Sequence, residues 1–139
     1  MPYKFIDGVA IADVTFEATG TTLEELFESA ANAVTASMVE DLKTIEEKIT
    51  KKISISGKDH ERLLHNFMQE LLFYKDAEGL VFSKYTIKIT GNSLEAELVG
   101  EELNQEKHEW ITDVKAVSWH MYKLEKTEEG WKAFVILDV

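Results

Sequence analysis

Outside two helical stretches, the apolar side chains of this chain recur at every second residue, and that regularity narrows the folds open to it. Ile53 and Ile55 mark one such stretch, Tyr85, Ile87 and Ile89 another, and Leu94, Ala96 and Leu98 a third. Alternation of this kind turns one face of a strand to a core and the other to water. The "TGNS" between the last two stretches is hairpin chemistry. Further strands are expected through "VKAVSWHMYKLEK" and, after a turn at "TEEG", through "WKAFVILDV". Near the start, "YKFID" and "ADVTFEATG" read as two short strands, or as one broken at Gly8.

The helical stretches are equally plain. Leu23, Leu26, Phe27, Ala30, Ala31, Val34 and Met38 recur at three and four, which predicts an amphipathic helix over 22–38. Thr21 or Thr22 can cap it, and Glu24 and Glu25 fall in the first turn, where the helix dipole favours them. A second helix is expected from the cap residue Asp59 through Leu63, Leu64, Phe67, Met68, Leu71 and Leu72 to about Lys75. Its apolar stripe is wide enough to lie flat on a sheet. The order of strands, helix, strand, helix and a run of strands predicts an α+β fold, two helices packed on one face of a largely antiparallel sheet. With 139 residues, 45% of them hydrophobic, a single domain over 1–139 with one core is expected. The segment 39–47, "VEDLKTIEE", is the expected site of greatest mobility, and 101–111 the next.

Charge and composition then exclude several functions. No stretch approaches the roughly 20 apolar residues of a membrane span, and "MPYKFIDG" lacks a cationic segment leading into an apolar one, so a soluble cytoplasmic protein is expected. There is no cysteine, which removes disulfides, thiolate metal sites and a cysteine nucleophile. The net charge of −11 opposes a nucleic-acid backbone at long range and suits a basic protein partner or divalent cations. It also serves plain solubility. No phosphate-binding glycine pattern occurs, and the aromatic residues nowhere alternate with basic ones as a stacking platform for nucleic acid requires.

Four histidines are candidate chemical groups. His60 and His65, five apart on one helix, fall on different faces and cannot share a metal; they read as surface or boundary residues. His108 lies in a charged loop and His120 in a strand beside Trp119, neither at a recognisable spacing from Ser or Asp. Aspartates stand out more, because three of them interrupt apolar runs. Asp13 stands between "GVAIA" and "VTF", Asp113 precedes "VKAV", and Asp138 follows "VIL". A carboxylate at the edge of a core is costly unless it is paired, hydrogen-bonded or bound to a cation. Oxygen donors of this kind favour calcium, magnesium or manganese over zinc. Each Asp also suits a simple turn at a strand end. The closing "VILDV" sharpens the issue, since it sets Asp138 beside the terminal carboxylate of Val139.

Taken in order, "ADVTFEATGTTLEELFESAANAV", "FMQELLFYKDAEGLVFSKYTIKI", "GEELNQEKHE", "TDVKAVSWHMYKLEK" and "WKAFVILDV" resemble the archease family over nearly the whole chain. The resemblance implies a small α+β accessory protein of tRNA processing. Such a protein activates an RNA ligase of the RtcB type by promoting its guanylylation and repeated turnover in tRNA splicing. Chaperone-like help to tRNA methyltransferases is a further role in the family. The resemblance also implies a divalent-cation site, with Ca²⁺ first and Mg²⁺ or Mn²⁺ as alternatives, whose ligands carry over to Asp13, Asp138 and Val139. Asp113 and Lys115 in "DVKAV" match positions of the same functional surface. The family motif His-Thr-Ala-Asp reads Ala10, Ile11, Ala12 and Asp13 here, so the carboxylate is kept while the imidazole and hydroxyl are absent. A metal-dependent hydrolase built on the same aspartates is the competing expectation from another class, without an evident base or nucleophile beside them in sequence.

Overall fold

The computed structural model describes residues 2–7 and 13–139. Among these residues two α-helices and eight strands follow one another as β1 (Tyr3–Phe5), β2 (Asp13–Gly20), α1 (Leu23–Met38), β3 (Ile49–Ser56), α2 (His60–Glu78), β4 (Leu80–Thr90), β5 (Ser93–Glu102), β6 (Ala116–Val117), β7 (Lys123–Thr127) and β8 (Gly130–Asp138), with a short 3-10 turn at Leu42–Thr44. The helix α1 begins where a capping box closes its first turn. The Thr22 hydroxyl accepts from the Glu25 N–H at 3.1 Å, and the Glu25 carboxylate accepts from the Thr22 N–H at 3.3 Å. Asp59 caps α2 by accepting from the Arg62 N–H at 2.8 Å. That helix runs past Lys75 to Glu78, because the first residue suited to a left-handed stop is Gly79, with φ of 66°.

All strand pairing is antiparallel, in two sheets. The larger has the order β1-β2-β8-β6, with β7 also on β8, and the smaller the order β3-β5-β4. The α+β class with antiparallel strands is therefore as the periodicity indicates, with the strands shared between two sheets rather than gathered in one. Both helices reach both sheets. The helix α1 rests on β2 and β8 and touches β4, while α2 touches β3 and β4 on one side and β6 and β7 on the other. Between them lie Phe16, Phe27, Leu63, Leu64, Phe67, Met68, Val135 and Leu137, all fully enclosed. Phe27 and Phe67 meet at 5.8 Å between ring centres and join the two helices. Each such side chain contributes roughly 1.5–3 kcal/mol by leaving water.

The stretch "VKAVSWHMYKLEK" departs from a continuous strand. Its two ends, β6 and β7, lie along the same side of β8, while 119–122 leave the sheet between them in a turn that holds Met121 at φ of 56°. An exposed sheet edge invites unwanted pairing, and here side chains of α2 occupy it. The Gln69 Oε1 accepts from the Val117 N–H at 3.0 Å, and His65 Nε2 donates to the Val117 carbonyl at 3.0 Å. Glu61 accepts from the Leu124 N–H at 3.2 Å, and the Tyr122 hydroxyl donates to the Glu61 carbonyl at 2.6 Å. His65 is consequently buried, which corrects its reading as a surface or boundary residue: the edge carbonyl of Val117 needs a donor, and helix geometry offers that position. Burial pushes its pKa down.

The segment 39–47 is anchored more firmly than its composition indicates. Val39 pairs with Trp110, Glu40 N–H donates to the Glu109 carbonyl at 2.8 Å, and Ile45 is buried. Among the described residues no helix is long and apolar enough to cross a membrane.

The tightest approach in the smaller sheet is at Gly100. The ladder between β4 and β5 shifts register between Phe82 and Lys84, and a Cβ on Gly100 would collide with the Val81 carbonyl oxygen and stand 2.7 Å from the Phe82 Cα. Both neighbours are backbone, so neither can swing away. Gly100→Ala should lower stability by about 1–3 kcal/mol, the usual cost of overpacking, as read from the urea midpoint. A midpoint equal to that of the unaltered protein would show that the bulge yields without cost.

Candidate functional site

Asp13 and Asp138 are direct cross-strand partners at one end of the long β2–β8 ladder. Seven further pairs follow, ending at Gly20 opposite Trp131. Facing residues of an antiparallel pair project to the same side. The alternate pairs Phe16 with Val135 and Ala18 with Ala133 are wholly buried, so they occupy the core side. Asp13 and Asp138 project to the other side. Asp13 is exposed, whereas Asp138 and Val139 are half-buried. On its far side Asp138 lies beside Ala116 of β6, and its carbonyl accepts from the Lys115 N–H at 2.8 Å. Like charges directly opposite in a ladder destabilise it. Two carboxylates fixed this way therefore favour whatever neutralises them, and their oxygens suit a hard divalent cation. Among the described residues no three His, Cys, Asp or Glu side chains gather at one point. Asp13 and Asp138 could offer a cation two carboxylates, and a third ligand would have to be a group of another kind. Ala10 and Ile11 lie outside the described residues.

Asp113 and Lys115 are held separately. The Asp113 carboxylate bonds to Lys75 of α2 at 2.6 Å, and the same ammonium donates to the Val114 carbonyl at 2.7 Å and pairs with Asp76 at 2.6 Å. The Lys75 side chain is only 5% exposed. Burial works against its charge, but the two carboxylates outweigh that and raise its pKa. Lys115 is exposed and reaches the aspartate pair through its backbone. Sequence spacing, which sets Asp113 next to Lys115, therefore gives no hint of the lysine that Asp113 actually bonds. Lys75 reads only as the last turn of a helix.

A second polar cluster, around Glu101 and His108, has no motif in the sequence to mark it. His108, wholly buried, accepts from the Asn104 N–H at Nδ1 (2.9 Å), which leaves the proton on Nε2 to bond Glu101 at 3.0 Å. Glu101 also accepts from the Glu46 N–H at 2.6 Å and from Lys107 at 2.8 Å, and Lys107 binds Glu46 as well. Burial raises the Glu101 pKa, but these donors prevail and hold it at about 2. Both imidazole nitrogens are committed, so the pair serves as a tie between the end of β5 and the segment 39–47 rather than as a general base. The only sequence signal was one of spacing, His108 seven residues beyond Glu101 in a charged loop. The cavity of about 850 Å³ beside Thr19, Glu28, Glu128 and Trp131 lies at the opposite end of β2–β8 from the aspartates, so volume does not mark the carboxylate pair.

Residues 3–139 match the model of the archease protein family. The archease of Pyrococcus abyssi is 38% identical over 133 residues, which cover 92% of this chain and 93% of that protein. The archease of Thermococcus kodakarensis is 39% identical over the same length and the same shares. Among solved structures, protein 1598 of Methanobacterium thermoautotrophicum superposes with a TM-score of 0.85 at 37% identity, covering 99% of each chain. An archease of Thermotoga maritima, described as a possible chaperone, superposes with a TM-score of 0.65 at 21% identity over 94% of this chain and 93% of its own.

The Glu101 tie makes a pH prediction. Its carboxyl sits at about 2 in the fold against 4.5 as a free group, so its contribution is complete above 4.5 and is lost as the pH falls from there toward 2. Thermal unfolding of wild type should steepen in that window. Glu101→Gln should be less stable at pH 7 and show a shallower fall below 4.5; equal slopes for the two proteins would remove Glu101 from the acid response.

Proposed function

The chain belongs to the archease family, and on that premise we propose that it acts as an accessory protein rather than an enzyme, activating an RNA ligase of the RtcB type in tRNA splicing. The observation that carries this reading is the pairing of Asp13 with Asp138, because a register that opposes two carboxylates is costly without a cation or a partner to meet them. We assign Asp13, Asp138 and the carboxylate of Val139 as ligands of a divalent cation, Ca²⁺ first and Mg²⁺ or Mn²⁺ as alternatives. Bound there, the cation would supply a concentrated positive charge at the edge of an otherwise acidic protein. This chain's own part is positional. β2 and β8 hold the aspartates face to face, Lys115 steadies the Asp138 backbone, and Lys75 fixes the segment from Asp113 to Val114 that leads into Lys115. The ligase, working on RNA, offers a basic surface that complements a net charge of −11.

A chaperone-like role toward tRNA-modifying enzymes such as a methyltransferase is the second reading. It is favoured by exposed apolar side chains at Phe73, Ile111, Trp119 and Met121, each more than half accessible or close to it.

The tests are direct. Calcium at 100 times its dissociation constant should stabilise the fold by about 2.7 kcal/mol, seen as a rise in Tm, and Asp138→Ala should abolish the rise. Mixed with an RtcB-type ligase, GTP and Mn²⁺, the wild type should speed ligase guanylylation and the variant should not. Extending the chain beyond Val139 replaces a carboxylate with a neutral amide carbonyl and should weaken both effects while the far-ultraviolet spectrum stays unchanged. Full activation by Asp138→Ala would remove the carboxylate pair from the mechanism.

A further inference from the structure

The turn that interrupts the edge of the larger sheet exposes Trp119 and Met121, at 54% and 56% accessibility, on a well-defined support. Trp119 stacks on the buried His65 with ring centres 3.6 Å apart and planes within 5°, and Tyr122 meets it edge-on at 5.5 Å. Its pose is fixed before anything binds. Arg62, the chain's one arginine, stands 5.0 Å from the Trp119 ring centre. None of the ion pairs among the described residues uses it. The neighbouring carboxylates are already engaged, Asp59 with the Arg62 N–H and Glu61 with the Leu124 N–H. Met121 is held in the left-handed region, where a side chain is strained. Strain kept at an exposed apolar residue points to a use for that residue.

We infer that Trp119, Met121 and Arg62 form a docking surface for a protein partner that presents an apolar pocket bordered by a carboxylate. Resting on the function proposed above, the occupant is the RNA ligase. Charge complementarity carries the choice of partner. A guanidinium that lies against an aromatic plane and has no ion pair among the described residues asks for an apolar group with a nearby negative charge. A nucleotide has that chemistry too, and Lys58 borders the same hollow of about 350 Å³ beside Arg62, but Asp59 and Glu61 border it as well, so the hollow lacks the excess of positive charge that a chain of phosphates calls for. The exposed Met121 extends the apolar surface beyond what one base covers. Trp, Tyr, Arg and Met are also the residues that concentrate at protein interfaces. Position adds a second argument, because Lys115, whose N–H holds the Asp138 carbonyl, lies four residues before Trp119 across the short strand β6. The strand β6 thus joins this turn to the end of β8 that carries Asp138, and opposite charges at Arg62 and the acidic edge would set a partner's orientation.

Calorimetric titration of the purified ligase into wild type, Trp119→Ala, Arg62→Glu and Met121→Gly tests this, with Tm and the calcium-induced Tm shift measured for each. Trp119→Ala and Arg62→Glu should weaken binding by ~10-fold or more, as loss of an interface anchor does, and leave the calcium shift unchanged. Met121→Gly relieves the backbone strain, so its Tm should equal or exceed that of the wild type while its binding weakens, a combination that a purely structural role does not produce. Unchanged binding by all three folded variants, with wild-type activation of the ligase, overturns the docking surface and leaves the proposed function standing. A wild type that neither binds nor activates the ligase overturns both. Saturable binding of GMP to the wild type that Trp119→Ala abolishes would assign the surface to a nucleotide and overturn the protein occupant.

Discussion

The register between β2 and β8 is the constraint on which the rest of the molecule depends. Val14 faces Leu137, Phe16 faces Val135 and Ala18 faces Ala133, and all but the half-buried Val14 are fully enclosed. A slip of one residue would turn Phe16 to the outer face and Asp13 to the core, a loss of several kcal/mol in apolar burial alone. Packing therefore admits one alignment. That alignment opposes Asp13 to Asp138 as a by-product of burying the three pairs beyond them. The carboxylate pair is thus held in place by the core, which explains how two like charges remain face to face.

Helix α2 supplies the second level of order. Its apolar face, with Leu63, Leu64, Phe67 and Met68, is buried between the two sheets. Its flank closes the edge formed by β6 and β7 through Glu61, His65 and Gln69. Its last turns contribute Lys75, which grips Asp113 and the Val114 carbonyl. These contacts set β6 alongside the end of β8 and so bring Ala116 beside Asp138 and the Lys115 N–H onto its carbonyl. A polar network enclosed in this way has to be complete, since an unpaired buried group costs more than its bond returns. Among the described residues no buried side-chain nitrogen or oxygen lacks a partner.

The same helix accounts for the turn at 119–122. A strand continuous from Ala116 to Thr127 would run its full length beside β8, yet the polar partners on α2 meet the chain only at Val117 and at Tyr122 to Leu124. The residues between are released outward. Trp119 then folds back over His65, which covers the imidazole that the edge carbonyl had drawn inward. Burial of His65 and exposure of Trp119 are two consequences of one edge contact.

Periodicity and end signals were sufficient for the elements themselves. The stripe from Leu23 to Met38, the caps Thr22 and Asp59 and the hairpin between Thr90 and Ser93 are local features, decided by side-chain spacing and backbone preference within a few residues, whereas α2 runs on to its stop at Gly79, past the end near Lys75 that the apolar stripe indicates. The importance of Asp13 and Asp138 was also legible, because carboxylates that end apolar strands stand out without any structure. Other features depend on groups far apart in the chain. Lys75 and Asp113 are 38 residues apart, His65 and Val117 are 52 apart, and Glu46 and Glu101 are 55 apart. Periodicity cannot reveal such bonds, for it reports which way a side chain points and not what it meets. Local spacing therefore determined the strands, the helices and the suspect carboxylates. Only the packing of α2 between two sheets decided the division of the strands, the break before Trp119 and the lysine that holds Asp113, because each of these satisfies a buried polar group whose partner comes from a distant part of the chain.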